Sequence, residues 1–266
     1  MTRDIADRFR PLWALADAEI RRVRTVVGSH PVFRLYLESG LAAAADGDRS
    51  RSVLIGGAGA GVVLAIEFDD VTVRTVIGRL DDDELAGACA VRRRTELHVE
   101  PDLRAIVLRL CGGGVLADQT IRYYRRPVGA EPPADPRCRR LAADDYAMAA
   151  AFFRAHHPAT IFSRWMLDET LVGLFEAGEL VACGGVVVRH AGLSTANLGN
   201  FVTVPARRGQ GLARIVMGAV LSSLAADGIG LAVLGATAGN VAACRSYEAV
   251  GFAPLDERAE LVVGPS

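Results

Sequence analysis

Arg208, Gly211 and Ala213 stand in the spacing R-x-x-G-x-A inside the run Val202-Thr203-Val204-Pro205-Ala206-Arg207-Arg208-Gly209-Gln210-Gly211-Leu212-Ala213. The chemistry this run suggests is anion binding. Glycines let a backbone turn sharply and approach a ligand closely. A helix that starts directly afterwards has N–H groups without internal partners and the positive end of its dipole. Such a start is a receptor for a pyrophosphate, and Arg207 and Arg208 add positive charge beside it.

The flanking residues supply the elements that would position this turn. Residues 201–204 are apolar and β-branched and read as a strand, which Pro205 helps to end. Leu212, Ile215, Val216, Val220, Leu221 and Leu224 recur at helical spacing. A second segment follows the apolar run 231–234. There Asn240 suits a helix N-cap, Gly251 a C-cap, and Tyr247 falls two turns into the helix.

Together the two segments resemble the acyl-CoA-binding core of the GNAT superfamily of N-acetyltransferases. The first is similar to that family's pyrophosphate loop. The second is similar to its last helix, with N-x-x-A-x-x-x-Y-x-x-x-G-F running from Asn240 to Phe252. The resemblance spans residues 138–263 and implies an α/β fold with a mixed sheet and acetyl-CoA as cofactor, released as coenzyme A. It implies that Val202, Thr203 and Val204 pair with the pantetheine arm, and that Arg207, Arg208, Gly209, Gln210, Gly211, Leu212 and Ala213 hold the pyrophosphate. It places Asn240 on the cofactor arm and makes Tyr247 the proton donor to the departing thiolate. A free tyrosine titrates near 10 and a thiol near 8.5, so that transfer is slightly uphill.

A general base is harder to find. Many family members carry a glutamate on the strand before the turn, whereas residues 194–200 read Ser-Thr-Ala-Asn-Leu-Gly-Asn. Asn197 or Asn200 can orient a water but cannot take a proton. His156, His157, Asp168, Glu169 and His190 are the remaining candidates. An acceptor such as an α-amino group, with a pKa near 8, needs little help. Phe162, Trp165 and Met166 line an acceptor pocket or belong to the core.

Composition narrows the alternatives. The 266 residues are 51% hydrophobic, and 30 basic residues, all arginine, balance 31 acidic ones to a formal net charge of −1. That balance gives no sign of a nucleic-acid or membrane partner. Cys89, Cys111, Cys138, Cys183 and Cys244 are odd in number and far apart, which argues against a disulfide framework and against a zinc motif, so no metal is expected. Residues 1–10 lack the apolar region of a signal peptide, and no run is long enough for a membrane helix, so the expected location is cytoplasmic.

Four prolines within residues 127–137 mark a linker. The expected division is residues 1–128, a linker over 129–137, and an acetyltransferase domain over 138–266. The first half repeats the second half's order of elements apart from a missing first strand, which predicts a degenerate acetyltransferase-like repeat. Its equivalent helix opens with Asp81-Asp82-Asp83-Glu84, which suits a helix start but repels a pyrophosphate. Gly56-Gly57-Ala58-Gly59-Ala60-Gly61 reads as a hairpin turn because a strand follows it, and Arg92-Arg93-Arg94 as a complement to the end of the acidic helix. The first function expected is transfer of an acetyl group to a primary amine of a small molecule or amino acid. The rivals are a protein or peptide N-acetyltransferase and a non-enzymatic acyl-CoA sensor, and a homodimer is allowed.

Overall fold

Apolar runs with strand and helix periodicity build two successive sets of elements, the first in the order β, α, α, β, β, β, α, β, α, β and the second in the same order with a 3-10 turn in place of its second helix. The computed structural model describes residues 9–47, 53–56, 60–68, 71–158 and 160–265. Unit 1 comprises residues up to Arg122 together with Thr237–Gly239 and Asp256–Ser266, and unit 2 comprises Tyr123–Ala236 and Asn240–Leu255. The hairpin reading of residues 56–61 falls largely on 57–59, outside the described residues.

Unit 1 opens with β1 (Arg10–Pro11), α1 (Asp17–Val27) and α2 (Pro31–Ala45), followed by β2 (Val53–Gly56), β3 (Gly61–Glu67) and β4 (Thr72–Gly78). The two-residue β1 pairs with β2, so the first strand missing from the sequence reading is present but short. Then come α3 (Asp82–Cys89), β5 (Thr95–Val99), α4 (Arg104–Cys111) and β6 (Val115–Pro127). Strands β2, β3 and β4 run antiparallel, and β4 and β5 parallel, as a strand–helix–strand crossover requires.

The second set of elements begins at β7 (Cys138–Arg140), α5 (Tyr146–His156) and a 3-10 turn, Arg164–Leu167. Next are β8 (Leu171–Glu176), β9 (Glu179–His190) and β10 (Thr195–Thr203), and then α6 (Leu212–Ala226), β11 (Leu231–Thr237), α7 (Val241–Ala249) and β12 (Ala253–Val263). Ala177 and Gly178 both take positive φ in the β8–β9 turn, as a tight hairpin demands. Strands β10 and β11 run parallel with α6 between them. The apolar stripe of α6, from Leu212 through Val216, Val220 and Leu224, packs on Leu198, Ala232 and Leu234.

The domain division requires correction. Most of β12 belongs to unit 1, where it pairs antiparallel with β5, Ala259 opposite Val99 and Leu261 opposite Leu97. Ala259, Leu261 and Val263 bury themselves there among Val63, Val76, Leu97 and Val107. The later residues of β6 belong to unit 2 and lie beside β11, with Tyr124 fully buried in that unit's core. Alternation along a strand tells which side chains share a face, not which strand will lie alongside. The assignment of 138–266 to one domain therefore fails at Asp256, and the proline-rich stretch lies inside unit 2. Among the described residues no helix is long and apolar enough to cross a membrane.

Candidate functional site

Strands β10 and β11 pair from Thr195 opposite Leu231 to Leu198 opposite Leu234, and the register ends there. Both strands continue, β10 to Thr203 and β11 to Thr237, so a wedge opens between them. A bulge helps to turn β10 aside. Gly199 faces Gly185 and Val202 faces Cys183, which leaves one extra residue on β10, and Asn200 there adopts φ 59°. Asparagine tolerates this left-handed conformation, and its Nδ2 fixes the bulge by donating to Ile161 C=O at 2.9 Å. Val204 N–H donates to Val181 C=O on β9. Strand alternation therefore turns Thr203 to the other edge, the edge of the wedge.

The wedge leads to the glycine turn. Gly209 and Gly211 both have φ 77°, and Gly211 is the N-cap of α6 without any side-chain cap. Among the described residues, the N–H groups of Gly209, Gln210, Gly211, Leu212 and Ala213 donate to no backbone carbonyl. These are the unsatisfied donors that an anion binds. Arg207 leans away from them, with Nε on Gln210 Oε1 at 3.0 Å and an ion pair to Glu176. Arg208 Nε donates to Thr203 C=O at 3.2 Å. Arg214, absent from the sequence reading, brings its guanidinium to Gly211, 3.1 Å from where a Cβ would stand.

Asn240 caps α7, its Oδ1 accepting the Ala243 N–H at 3.2 Å. Tyr247 lies one face inward and is 8% exposed. Its ring meets Phe201 of β10 edge-on at 6.3 Å and Tyr124 at 6.0 Å. Burial, with Cys244 and Tyr124 adding smaller effects, pushes its hydroxyl up to about 12. The phenol therefore stays protonated at neutral pH, and full transfer to a thiolate is more uphill than free pKa values suggest. What this environment favours is hydrogen-bond donation to a forming thiolate.

The chain is similar to known proteins in sequence over part of its length and in fold over nearly all of it. The acetyltransferase (GNAT) family matches residues 136–252, which span the wedge, the glycine turn and α7. That segment is similar in sequence to the GNAT acetyltransferases. Solved structures share the fold over nearly the whole chain, including its first half. A Drosophila protein is 15% identical with a TM-score of 0.69, covering 97% of this chain and 99% of that one. A GCN5-related N-acetyltransferase from Sphaerobacter thermophilus is 14% identical with a TM-score of 0.61, covering 98% and 97%. A tandem GNAT protein from the clavulanic acid biosynthesis pathway is 14% identical with a TM-score of 0.58, covering 97% and 99%. No curated protein matches the chain in sequence.

Within the matched segment the base candidates are mostly engaged elsewhere. Glu169 is buried and ion-paired with Arg189 at 2.8 Å, and Arg189 also holds Asp227. His190 accepts the Leu193 N–H through Nδ1 at 3.1 Å and caps a turn. His157 Nδ1 is 2.5 Å from Thr160 Oγ1. His156 stacks edge-on with Phe152 at 5.0 Å. Asp168 is exposed. Phe162 packs on Phe153 and Tyr146, and Met166 is buried, so both serve the core. The bulge at Asn200 had no signal beyond an asparagine beside a glycine. Arg214 was detectable in principle, because three residues past a helix start lie above its first turn.

Proposed function

We propose that the chain is an acyl-CoA-dependent N-acyltransferase that moves an acetyl group from acetyl-CoA to a primary amine of a small molecule or amino acid. The observation that carries this reading is the wedge beyond Leu198 and Leu234, ending at an uncapped helix start beside Arg208 and Arg214. An extended arm adds to the open edge of β10 as a strand would, and the α6 N–H groups receive the diphosphate.

Acetyl-CoA supplies an activated thioester carbonyl. The Thr203 backbone at the wedge edge offers a donor that polarises a carbonyl oxygen. Tyr247, buried beside Phe201, offers a hydrogen bond to the leaving sulfur. The acceptor amine has to arrive neutral, because β10 carries no acid or histidine over residues 194–200. A weakly basic amine, such as the α-amino group of an amino acid, is neutral often enough near pH 8 to attack unaided.

The same lack of a base favours one second reading, a module that binds acyl-CoA without turning it over. A screen of coenzyme A thiol release across amines, amino acids and peptides, paired with calorimetry on acetyl-CoA, tests both. Binding with release for an amine or amino acid supports the proposal. Release only with peptides moves the acceptor class, binding without release supports the sensor, and no binding at millimolar acetyl-CoA ends both.

A further inference from the structure

Glu96, His98 and Glu260 each bring one ligand atom to within 4.8 Å of the others, on the sheet of unit 1. The strands fix this arrangement. Glu96 and His98 are two residues apart on β5 and so share a face, and the register sets Glu260 of β12 directly opposite His98. The alternate residues Leu97, Val99 and Leu261 turn to the apolar core on the opposite face.

His98 Nε2 stands 3.1 Å from Glu260 Oε2, with both side chains only 8% exposed. Each carboxylate is also held from outside the cluster. Arg94 donates to Glu96 Oε1 at 3.0 Å, and the Gln119 amide donates to Glu260 Oε1. Outer partners of this kind orient metal ligands and fix the oxygen that faces the metal. A buried imidazole nitrogen and two carboxylate oxygens gathered on one face offer a cation three donors.

We propose that Glu96, His98 and Glu260 form a site for a divalent transition-metal ion of the zinc class, which fastens the chain's last strand to β5. One imidazole with two carboxylates is a donor set for zinc rather than for magnesium or calcium, which take oxygen alone. Metal–ligand bonds near 2.0–2.1 Å place tetrahedral ligand atoms roughly 3.3 Å apart. The His98–Glu260 pair already meets that spacing. Only the half-buried Glu96 has to close in, by about 1.5 Å, which a single glutamate side chain achieves by rotation.

The test uses the full chain, freed of metal with a chelator, then titrated with Zn2+ in calorimetry and with Co2+ by visible absorption. One equivalent should bind at micromolar affinity or tighter, with a d–d band in the cobalt form. The thermal midpoint should rise with zinc concentration, as binding to the folded state alone requires. His98→Gln should weaken zinc binding at least tenfold. Glu96→Gln, at the most exposed ligand, should do the same and keeps the test valid if His98→Gln does not fold. Metal at background level, or zinc affinity in both variants equal to the parent's, overturns the proposal and leaves only a close polar contact between His98 and Glu260. Acetyl-CoA binding does not enter either readout, so this site stands or falls apart from the proposed activity.

Discussion

Two crossovers in this chain follow the same path and end differently. In unit 1, β4 passes through α3 to the parallel strand β5, and in unit 2, β10 passes through α6 to β11. In each, the register holds for four residue pairs, ending at Thr75 opposite His98 and at Leu198 opposite Leu234. Beyond that point the unit 1 opening is filled. Arg258, buried on β12, reaches past the end of β5 to donate to Val76 C=O on β4 at 2.9 Å. Glu100 and Asp256 neutralise it at 2.7 and 3.0 Å, and the Phe33 ring covers it at 4.7 Å.

The helix starts differ in the same sense. Asp81 accepts the Glu84 N–H at 2.7 Å, while the Glu84 carboxylate accepts the Asp81 N–H at 3.1 Å, a reciprocal capping box. The donors that α6 leaves open are answered in α3 by the helix's own acids. An identical backbone route thus yields an open helix start or a closed structural joint, depending on a few side chains. The fold by itself does not assign the function.

The largest expected effect tests the filled opening. Arg258→Ala leaves Glu100 and Asp256 without their shared cation and a space beneath Phe33. Removing one partner of a fully buried ion pair costs about 3–5 kcal/mol; Glu100 and Asp256 are partly exposed, so the loss here falls at the lower end, about 3 kcal/mol. Urea unfolding should show that loss, while acetyl-CoA affinity stays put, because the proposed receptor is in unit 2. A loss under about 1 kcal/mol would mean that Arg258 is not what closes the unit 1 wedge.

Next is the conversion of the open helix start into a closed one. Gly211→Glu sets a carboxylate over the α6 donors, as Asp81 does in α3, and acetyl-CoA should bind at least about 100-fold more weakly, near 2.7 kcal/mol. Gly211→Ala is the control, since it carries the same strain at positive φ without the charge. Calorimetry that finds both variants equal to the parent removes the diphosphate from this turn.

Tyr247→Phe probes the chemistry rather than the binding. Turnover should fall about 10–100-fold with KM for acetyl-CoA within about twofold, the pattern of an interaction made in the transition state. Its pH signature has a definite sign. The folded pKa, about 12, lies above the ordinary value near 10. This group's contribution to stability is therefore intact below pH 10 and is lost as pH rises toward 12. Unfolding measured across that interval should steepen for the parent and flatten for the phenylalanine variant.

The comparison also separates what sequence could reveal from what it could not. The glycine turn, the stripe of α6, Asn240 and Tyr247 were legible because their signals are local: spacing, capping and conformational demand. The acidic run at residues 81–84 was legible as a closed helix start for the same reason. Arg258 was not, because its role depends on β12 lying beside β5, a pairing between residues far apart in the chain. The wedge in β10 was hidden too. A bulge held by Asn200 and the carbonyl of Ile161 leaves no periodic trace.

The smallest effect asks which of the two closures keeps cofactor out of unit 1. Asp81→Ala removes the cap of α3 and should cost about 1 kcal/mol, the usual value for a lost N-cap. Combined with Glu84→Ala it leaves the α3 donors as open as those of α6. Arg258 still occupies the space where an extended arm would have to pair with β4. Calorimetry on the double variant should therefore still count one acetyl-CoA per chain. A second equivalent would show that the acids alone exclude the diphosphate, and that Arg258 yields when an anion is offered to the helix. The two crossovers would then differ by surface charge rather than by a filled core, and unit 1 would be a receptor held shut by two carboxylates.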